Sequence, residues 1–419
     1  MADLQADMLI VGGGPAGAAA AIEARRAARD VIVIDKASFP RDKCCGDGLT
    51  TGALRHLDQL GFDPRSVPSW RTVSEVVVTP PSGRSRRFPL PGPADGQGTF
   101  AAVARRREFD VALLDLARKA GADVLERHAL TTITEDRDRV TVQVDGPTGR
   151  LSVEAPAVIA ADGMWSTTRK LLGVKVEGYR GDWHAFRQYF EQVSGPANRE
   201  LLVWFEPDLL PGYAWSFPVD DRSANVGFGI LRTPGQTVQP MKDLWPRLLA
   251  RPHIAAALGP HAVPEEGHRA WPIPTRLGEL PFSVGRVLFV GDALAAGDPM
   301  TGEGIGQAIE TGRQAVQSLV DGPGRTDPVA AAERYERLLR QGMFRDHRMA
   351  RVLSSVLGSA RGANASVAIA GATGWTRSNF ARWLFEDYPR AALLTPGRWR
   401  RGMFSAPGAF TGDEDRSLS

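Results

Sequence analysis

Residues Met8-Leu-Ile-Val-Gly-Gly-Gly-Pro-Ala-Gly17 read as a wholly apolar strand running straight into a glycine turn that opens a small-residue helix. Gly12, Gly14 and Gly17 fit the spacing G-x-G-x-x-G. The first permits the tight turn, the second lets backbone approach a pyrophosphate, and the third lets helix and strand pack closely. Ala18 to Ala21 keep that helix slim. Phosphates would sit on its N-terminus, where unpaired N–H groups and the positive dipole end favour an anion. A second strand, Val31-Ile-Val-Ile34, ends in Asp35, eighteen residues after Gly17, where an acid would take the ribose hydroxyls of an adenosine. Three spaced glycines arise by chance easily. Strand, turn, helix, strand and terminal acid in this order point to a dinucleotide site.

The chain has 419 residues, ample for two intergrown domains and a tail. A net charge of +3 provides no global basic field, so no nucleic-acid partner is expected. The seven histidines show no metal-ligand spacing, and no metal is expected. Cys44 and Cys45 are neighbours and make a poor cross-link, which suits a reducing, cytoplasmic setting. The N-terminus carries Asp3 and Asp7 rather than a basic region, and nowhere do eighteen apolar residues follow one another. Neither a signal peptide nor a membrane span is therefore expected, leaving a soluble or peripherally attached protein.

Working outward, Phe39 to Thr50 forms a polar, glycine-bearing loop at the carboxyl end of the second strand, the side on which open α/β sheets bind ligands. A helix is expected over Thr51 to Leu60, a strand over 73–79, and turns or a lid over Pro80 to Gly98. Phe109, Leu113 and Leu116 recur at helical spacing after Arg105. Strands follow near Asp123–Glu126 and Val140–Val144, then Ala157-Val-Ile-Ala-Ala-Asp162 ends in an Asp-Gly turn. From about Val174 to Phe282 the pattern changes to short alternating strands, a separate substrate-facing layer. Arg286-Val-Leu-Phe-Val-Gly-Asp292 is again a buried strand ending in an acid, and its loop delivers a helix beginning near Thr301, with Ile305, Ile309, Val316 and Leu319 on one face. An amphipathic helix is expected near Pro328–Leu357, ahead of an irregular end rich in Trp and Arg.

Four strand-end motifs thus stand in order: Gly12 to Gly17, Arg106-x-x-Phe-Asp110, Ala161-Asp-Gly-x-x-Ser-x-x-Arg169, and Gly291-Asp-Ala-x5-Pro299-x-x-Gly-Glu-Gly-Ile305. Together they resemble the FAD-binding fold of the aromatic-hydroxylase type. Two further stretches, Asp42-Lys-Cys-Cys-Gly-Asp-Gly-Leu-Thr50 and Pro211-Gly-Tyr-Ala-Trp-Ser-Phe-Pro218 with its continuation to Gly229, resemble the geranylgeranyl reductase family within it. The resemblance implies an α/β (α+β) chain: a Rossmann-type FAD-binding domain, an inserted mixed or antiparallel β-sheet substrate domain, and a helical C-terminal tail. Its expected segments are 1–72, 101–173 and 283–325 for FAD, 73–100 for a substrate-domain strand and lid, 174–282 for the substrate sheet, and 326–419 for the tail. It places Gly12, Gly14, Ala16, Gly17, Asp35, Gly46, Gly48, Arg106, Asp162, Asp292, Gly302, Gly304 and Ile305 on FAD. Cys45 matches the family cysteine beside the flavin, and Cys44 is an extra thiol. Ala295 stands where glycine is usual.

The implied activity is reduction of isolated C=C bonds of a polyprenyl, geranylgeranyl-type chain by reduced FAD, with Cys45, Tyr213, Trp215 and Phe217 at the reacting end. The aromatic stripe would then stabilise cationic character by cation–π contact. Without that motif, such a stripe is plain core. The external reductant would be NADPH or a reduced electron-carrier protein, because Gly227 and Gly229 lie in a strand with no following helix and form no second nucleotide site. The substrate would be a hydrophobic prenylated small molecule or lipid. A monooxygenase on a hydrophobic or natural-product substrate shares the fold and is the alternative. A halogenase is disfavoured by the lack of lysine between Lys43 and Lys119 and by Tyr-Ala-Trp-Ser-Phe at 213–217. Between Ala331 and Phe404 stand thirteen arginines against five acidic residues, interleaved with Trp375, Trp383, Phe385, Trp399 and Phe404. Two readings stay open there: a peripheral contact with the inner face of the cell membrane, or aromatics packed on the FAD domain beneath a solvated basic surface.

Overall fold

A computed structural model describes residues 2–93, 96–174, 177–232, 239–321, 327–399 and 401–411. Strand β1 (Met8–Val11) is buried along its length and turns into α1 (Pro15–Arg26), whose buried face is nearly all alanine and glycine. Pro15 suits the first helical position, where no N–H partner is needed. Next come β2 (Val31–Asp35) and α2 (Thr51–Gln59), the helix capped by the Thr50 hydroxyl accepting from the Ala53 N–H. β3 (Glu75–Thr79) and β4 (Arg86–Pro89) pair antiparallel, so the expected lid over Pro80 to Gly98 contains an edge strand. Phe88 is the residue of β4 that turns inward, and its ring meets Phe380 at 4.8 Å, which covers the edge.

α3 (Arg106–Lys119) buries Phe109 and Leu113 as their spacing requires. β5 (Asp123–Glu126) is followed by a meander of β6 (Ala129–Glu135), β7 (Val140–Gly146) and β8 (Gly149–Ala155), of which only the middle strand was expected. β9 (Ala157–Ala160) leads to the short helix α4 (Thr167–Leu171). The second layer is built from β10 (Trp183–Glu191), β11 (Leu201–Trp204), β12 (Tyr213–Asp220) and β13 (Ser223–Leu231). Two helices, α5 (Gln239–Leu249) and α6 (Pro252–Leu258), interrupt what reads in sequence as strands alone. β14 (Arg269–Ile273) returns to the sheet, and β15 (Val287–Phe289) to the nucleotide domain.

Five strands lie parallel in the order β15-β9-β1-β2-β5, with Ser283–Val284 antiparallel at the edge. The larger mixed sheet runs β10-β13-β12-β11-β3-β4, with β14 against the other side of β10, and β3 with β11 is its parallel pair. One face packs on α5 and α6 through Met241, Trp245, Leu248 and Ile254. The other faces the carboxyl ends of the parallel strands.

α7 (Ile305–Val320) starts at Ile305 rather than near Thr301, because the Asp298 carboxylate accepts the Met300 and Thr301 N–H groups and Gly302 takes φ +73°, holding those residues in a turn. The tail divides into α8 (Pro328–Gln341), α9 (Met343–Leu357), α10 (Ala360–Ala370) and α11 (Gly374–Leu384), with the expected long helix broken at Gly342. It packs back on the nucleotide domain: the Tyr335 hydroxyl donates to the Phe289 carbonyl at 2.9 Å, and Arg390 Nε meets Asp298 Oδ2 at 2.6 Å with both side chains buried.

α1 and α7 touch backbone to backbone. A Cβ at Gly312 would lie 2.2 Å from the Ala16 carbonyl oxygen, so Gly312→Ala must push the two helices apart. Overpacking of this kind should cost about 1–3 kcal/mol, read as a lowered urea midpoint of the purified chain; an unchanged midpoint would remove this contact from the account of the fold.

Candidate active site

The carboxyl ends of β1, β2, β9 and β15 open onto one cavity of about 670 Å³ that extends to the face of the mixed sheet, a volume typical of ligand sites. It brings together Gly12, Gly14, Ala16, Asp35, Cys45, Gly46, Arg106, Asp162, Tyr213, Trp215, Phe217, Asp292, Gly302, Gly304 and Ile305. Gly17 and Gly48 are not in its lining and act on its shape instead. A Cβ at Gly17 would sit 1.8 Å from the Gly12 carbonyl oxygen, and one at Gly48 would meet the Phe217 ring at 3.2 Å.

The nucleotide end is polar and rigid. Asp35 accepts the Gly13 N–H on one carboxylate oxygen and the Ala37 N–H on the other, each at 2.8 Å, so the acid fixes the glycine turn that it faces. Gly12 takes φ +107°, and a Cβ there would lie 2.4 Å from the Ala161 carbonyl oxygen. Asp162 receives the Thr168 N–H and hydroxyl on one oxygen, while the other is buried with no partner. Arg106 lines the cavity but spends its fork on Asp110, at 2.7 and 2.8 Å, and Asp292 is paired with Lys43 at 2.7 Å. The first-turn amides of α1 have no intrahelical acceptor. At Gly14 a Cβ would meet only the Arg41 guanidinium, at 3.3 Å. Free amides, an orphan carboxylate oxygen and this open cradle fit an anionic, hydroxyl-rich dinucleotide such as FAD.

The opposite end is aromatic. Strand alternation puts Tyr213, Trp215 and Phe217 on one face of β12, opposite Gly229, Gly227 and Asn225 of β13. Gly227 has a packing role: a Cβ there would fall 2.3 Å from the Trp215 ring. Asn225 joins this face to the cysteine loop. Its Nδ2 donates to the Cys45 carbonyl at 2.9 Å and to Asp47 Oδ2 at 2.8 Å, and its Oδ1 accepts Trp215 Nε1 at 3.1 Å. The Tyr189 hydroxyl donates to the same Asp47 oxygen at 2.5 Å, and the Arg187 guanidinium stacks 4.1 Å from the Tyr189 ring centroid.

Burial raises the Asp47 carboxyl to about 6 against the opposing hydrogen bonds of Tyr189 and Asn225 and the charge of Arg187. Burial also pushes the Cys45 thiol up and the Cys44 thiol to about 12, so both are neutral thiols at neutral pH. Both cysteines line the cavity, Cys44 with its thiol 3.5 Å from the Arg269 carbonyl. Glu303 enters the cavity beside Tyr213 and Phe217, and burial, then the Glu386 and Asp298 charges, raise it to about 8 against Arg390.

Asp47, Asn225, Tyr189, Arg187 and Glu303 escaped sequence reasoning. Asp47 and Glu303 each carried a signal, an acid between two glycines, and Asp47 does take φ +68°. In the tail, Phe385 is buried and Trp383 is partly covered with its ring N–H on the Arg390 carbonyl, so these two belong to packing. Trp375 is 74 % exposed and Trp399 52 %.

Because the Gly14 cradle is open, Gly14→Val should fold and melt like the parent yet lose FAD at least about tenfold, as its branch displaces a bound pyrophosphate. Flavin absorbance per chain, beside far-ultraviolet circular dichroism, measures both; full flavin content in that variant would contradict this placement of the dinucleotide.

Comparison with known proteins agrees with this geometry. Residues 5–321 match the family model described as FAD binding domain. The chain is 32 % identical over 374 residues to a menaquinone reductase of Mycolicibacterium smegmatis, covering 84 % of this chain and 85 % of the relative. It is 30 % identical to digeranylgeranylglycerophospholipid reductase 1 of Methanopyrus kandleri, covering 80 % and 85 %. Its fold matches the crystal structure of a geranylgeranyl bacteriochlorophyll reductase-like protein from Thermoplasma acidophilum with a TM-score of 0.78 at 24 % identity, over 94 % of this chain and 99 % of the other. The chain therefore belongs to the FAD binding domain family and is an FAD-dependent oxidoreductase of the geranylgeranyl reductase type.

Proposed function

We propose that this chain saturates isolated C=C bonds of a polyprenyl, geranylgeranyl-type chain carried by a quinone, a lipid or another hydrophobic molecule. The observation that carries the reading is that Tyr213, Trp215 and Phe217 wall the same cavity as the dinucleotide turn. The relatives' names, a quinone in one case and a digeranylgeranyl lipid in the other, support it. Gly12, Gly14, Ala16, Asp35, Arg106, Asp162, Asp292, Gly302, Gly304 and Ile305 are the residues that would hold FAD, which when bound and reduced supplies two electrons and one hydrogen for each bond. The outer donor is NADPH or a reduced electron-carrier protein.

The chain's own contribution is to hold an apolar substrate, exclude water and favour charge where the alkene becomes electron-poor. An isolated alkene has no carbonyl to polarise, so reduction passes through cationic character at its more substituted carbon. The aromatic faces of β12 stabilise such charge by about 0.5–2 kcal/mol each in a desolvated site. Asn225, whose amide also donates to Asp47, holds the Cys45 backbone against that face, so the Cys45 thiol would narrow the pocket beside the flavin position.

Dithionite-reduced protein incubated anaerobically with a panel of polyprenyl substrates should yield products heavier by two hydrogens per bond, and a panel returned unchanged would end the reading. In the same assay Cys45→Ala should keep FAD and fold but alter the rate by about tenfold or change the number of bonds saturated. Cys44→Ala should leave the products nearly unchanged; the reverse pattern would relocate the active thiol.

Peripheral membrane contact is the second part of the proposal. No helix among the described residues is long and apolar enough to cross a membrane. Ile369 and Trp375, 71 % and 74 % exposed, flank the turn between α10 and α11 beside Arg377. Many tail arginines are already committed to acids, including Arg382 to Asp387, Arg390 to Asp298 and Arg398 to Asp346, so the contact would be modest and salt-sensitive. Flotation with anionic liposomes should carry the protein upward at low salt and release it at high salt; protein remaining at the bottom at low salt would exclude the contact.

A further inference from the structure

Glu303 occupies a position unlike that of any other acid in the cavity. It precedes the first residues of α7 in a turn locked from behind: the Asp298 N–H donates to the Glu303 carbonyl at 2.7 Å, the Asp298 carboxylate takes the Met300 and Thr301 N–H groups, and buried Arg390 pins Asp298. The carboxyl is delivered between the loop glycines and the aromatic face. Its Oε1 lies 3.6 Å from where a Gly48 Cβ would be, a point itself 3.2 Å from the Phe217 ring. Asp35, Asp162 and Asp292 all lie at strand ends with hydrogen-bond or ion-pair partners. Among the described residues the Glu303 carboxyl has neither, and it faces the space that the substrate would occupy.

Reduction of an isolated alkene needs a proton as well as a hydrogen with its electron pair. On the aromatic side of the cavity the alternatives are poor donors. Both thiols are pushed up by burial, Cys44 to about 12, and the Tyr213 hydroxyl, also raised by burial, donates to the Thr301 carbonyl. The charged groups that act on Glu303 are Glu386 and Asp298, which oppose its ionisation, and Arg390, which favours it; Tyr213 and Cys45 face it uncharged. The balance leaves a neutral carboxylic acid at neutral pH, close to the range in which a general acid works best.

Glu386, whose charge acts on Glu303, borders a separate polar chamber. A second cavity of about 230 Å³ is lined by Glu386, Gln307, His347 and Arg390. Glu386 accepts from the Thr50 hydroxyl and the Gln307 amide, at 2.9 and 2.7 Å. Gln307 Oε1, Arg390 Nη1 and both His347 nitrogens are buried there without protein partners, the chemistry of a chamber that holds water.

We propose that Glu303 is the carboxylic acid that protonates the substrate alkene, and that it is recharged from solvent through the polar chamber behind Glu386. The proposal rests on the prenyl-reductase reading. The O–H bond of Glu303 breaks and a C–H bond forms at the less substituted alkene carbon. The cation left at the other carbon would be faced by the rings of β12 and would take up the hydrogen and electron pair that FAD, bound and reduced, would supply. The Glu303 carboxylate then regains its proton from water in the chamber.

The test compares wild-type, Glu303→Gln and Glu303→Asp holoenzymes, each reduced anaerobically with dithionite. Glu303→Gln should bind FAD and accept electrons as the parent does, yet reduce a polyprenyl substrate at least about 100-fold more slowly, with Glu303→Asp recovering part of the loss. The wild-type rate should fall about tenfold per pH unit above about 8, since only the protonated acid donates, and the residual Glu303→Gln rate should not follow it. Without substrate, the infrared difference between wild type and Glu303→Gln should contain a protonated-carboxyl band at pH 7 that disappears with a midpoint near 8. An active wild type with an equally active Glu303→Gln overturns the donor and leaves the reductase reading standing. A Glu303 found ionised at pH 7 by infrared overturns the donor whatever the turnover. A wild type inert on every polyprenyl substrate overturns both.

Discussion

One buried carboxylate ties the two layers of this protein together. Asp47 is fully buried, and the desolvation of a carboxyl is costly unless hydrogen bonds replace its water. Tyr189 and Asn225, one from β10 and one from β13, replace it at Oδ2, on which both converge, while Oδ1 is buried without a partner. Asn225 also holds the Cys45 carbonyl and the Trp215 ring N–H, so a single amide sets the distance between the loop after β2 and the aromatic face of the mixed sheet. Removing Asp47 would orphan the Tyr189 hydroxyl, and removing Asn225 would orphan the Cys45 carbonyl and the Trp215 ring N–H, each at a cost of about 1–3 kcal/mol. The position of the cysteine loop is therefore a property of the mixed sheet as much as of the nucleotide domain that it follows in sequence.

Around that clasp the cavity has two chemically opposite ends. At the glycine turn, open amides, carboxylates and close backbone contacts select a rigid anion with hydroxyl groups. At the β12 face, three aromatic rings and two neutral thiols provide an apolar wall. The separation follows from topology. Parallel strands bring their carboxyl ends and terminal acids to one edge, whereas an antiparallel sheet offers a face of alternating side chains that can be uniformly aromatic.

The C-terminal helices belong to the active-site structure. Arg390 grips Asp298, which shapes the turn before α7, and Arg55 and Arg382 both meet Asp387. Tyr335 reaches the end of β15, and Phe380 covers the edge strand β4. The tail thereby braces the loop that carries Gly302, Glu303 and Gly304, and its acids, Glu386 foremost, set the electrostatic environment of Glu303.

The nucleotide half was legible in the sequence because its determinants are local. A buried strand, a glycine turn and a terminal acid are adjacent in the chain, and steric rules at Gly12 and Gly17 demand those residues wherever the turn is used. Tyr213, Trp215 and Phe217 were legible for the same reason, since alternation along one strand puts them on one face. Local pattern failed where neighbours decide. The meander strands β6 and β8 and the edge strand β4 are polar on exposed faces and are stabilised by pairing, and Gly342 breaks a helix whose apolar period runs through it. The site residues that went unseen, Asp47, Tyr189, Asn225 and Glu303, share one trait: each is defined by a partner or a charge distant in sequence, as Asp47 is by Asn225 and Glu303 by Glu386. Backbone sterics and strand periodicity act over a few residues and determine the nucleotide turn and the aromatic face. Burial and electrostatics act through space, and only the tertiary structure decided which acids are neutral and what they face.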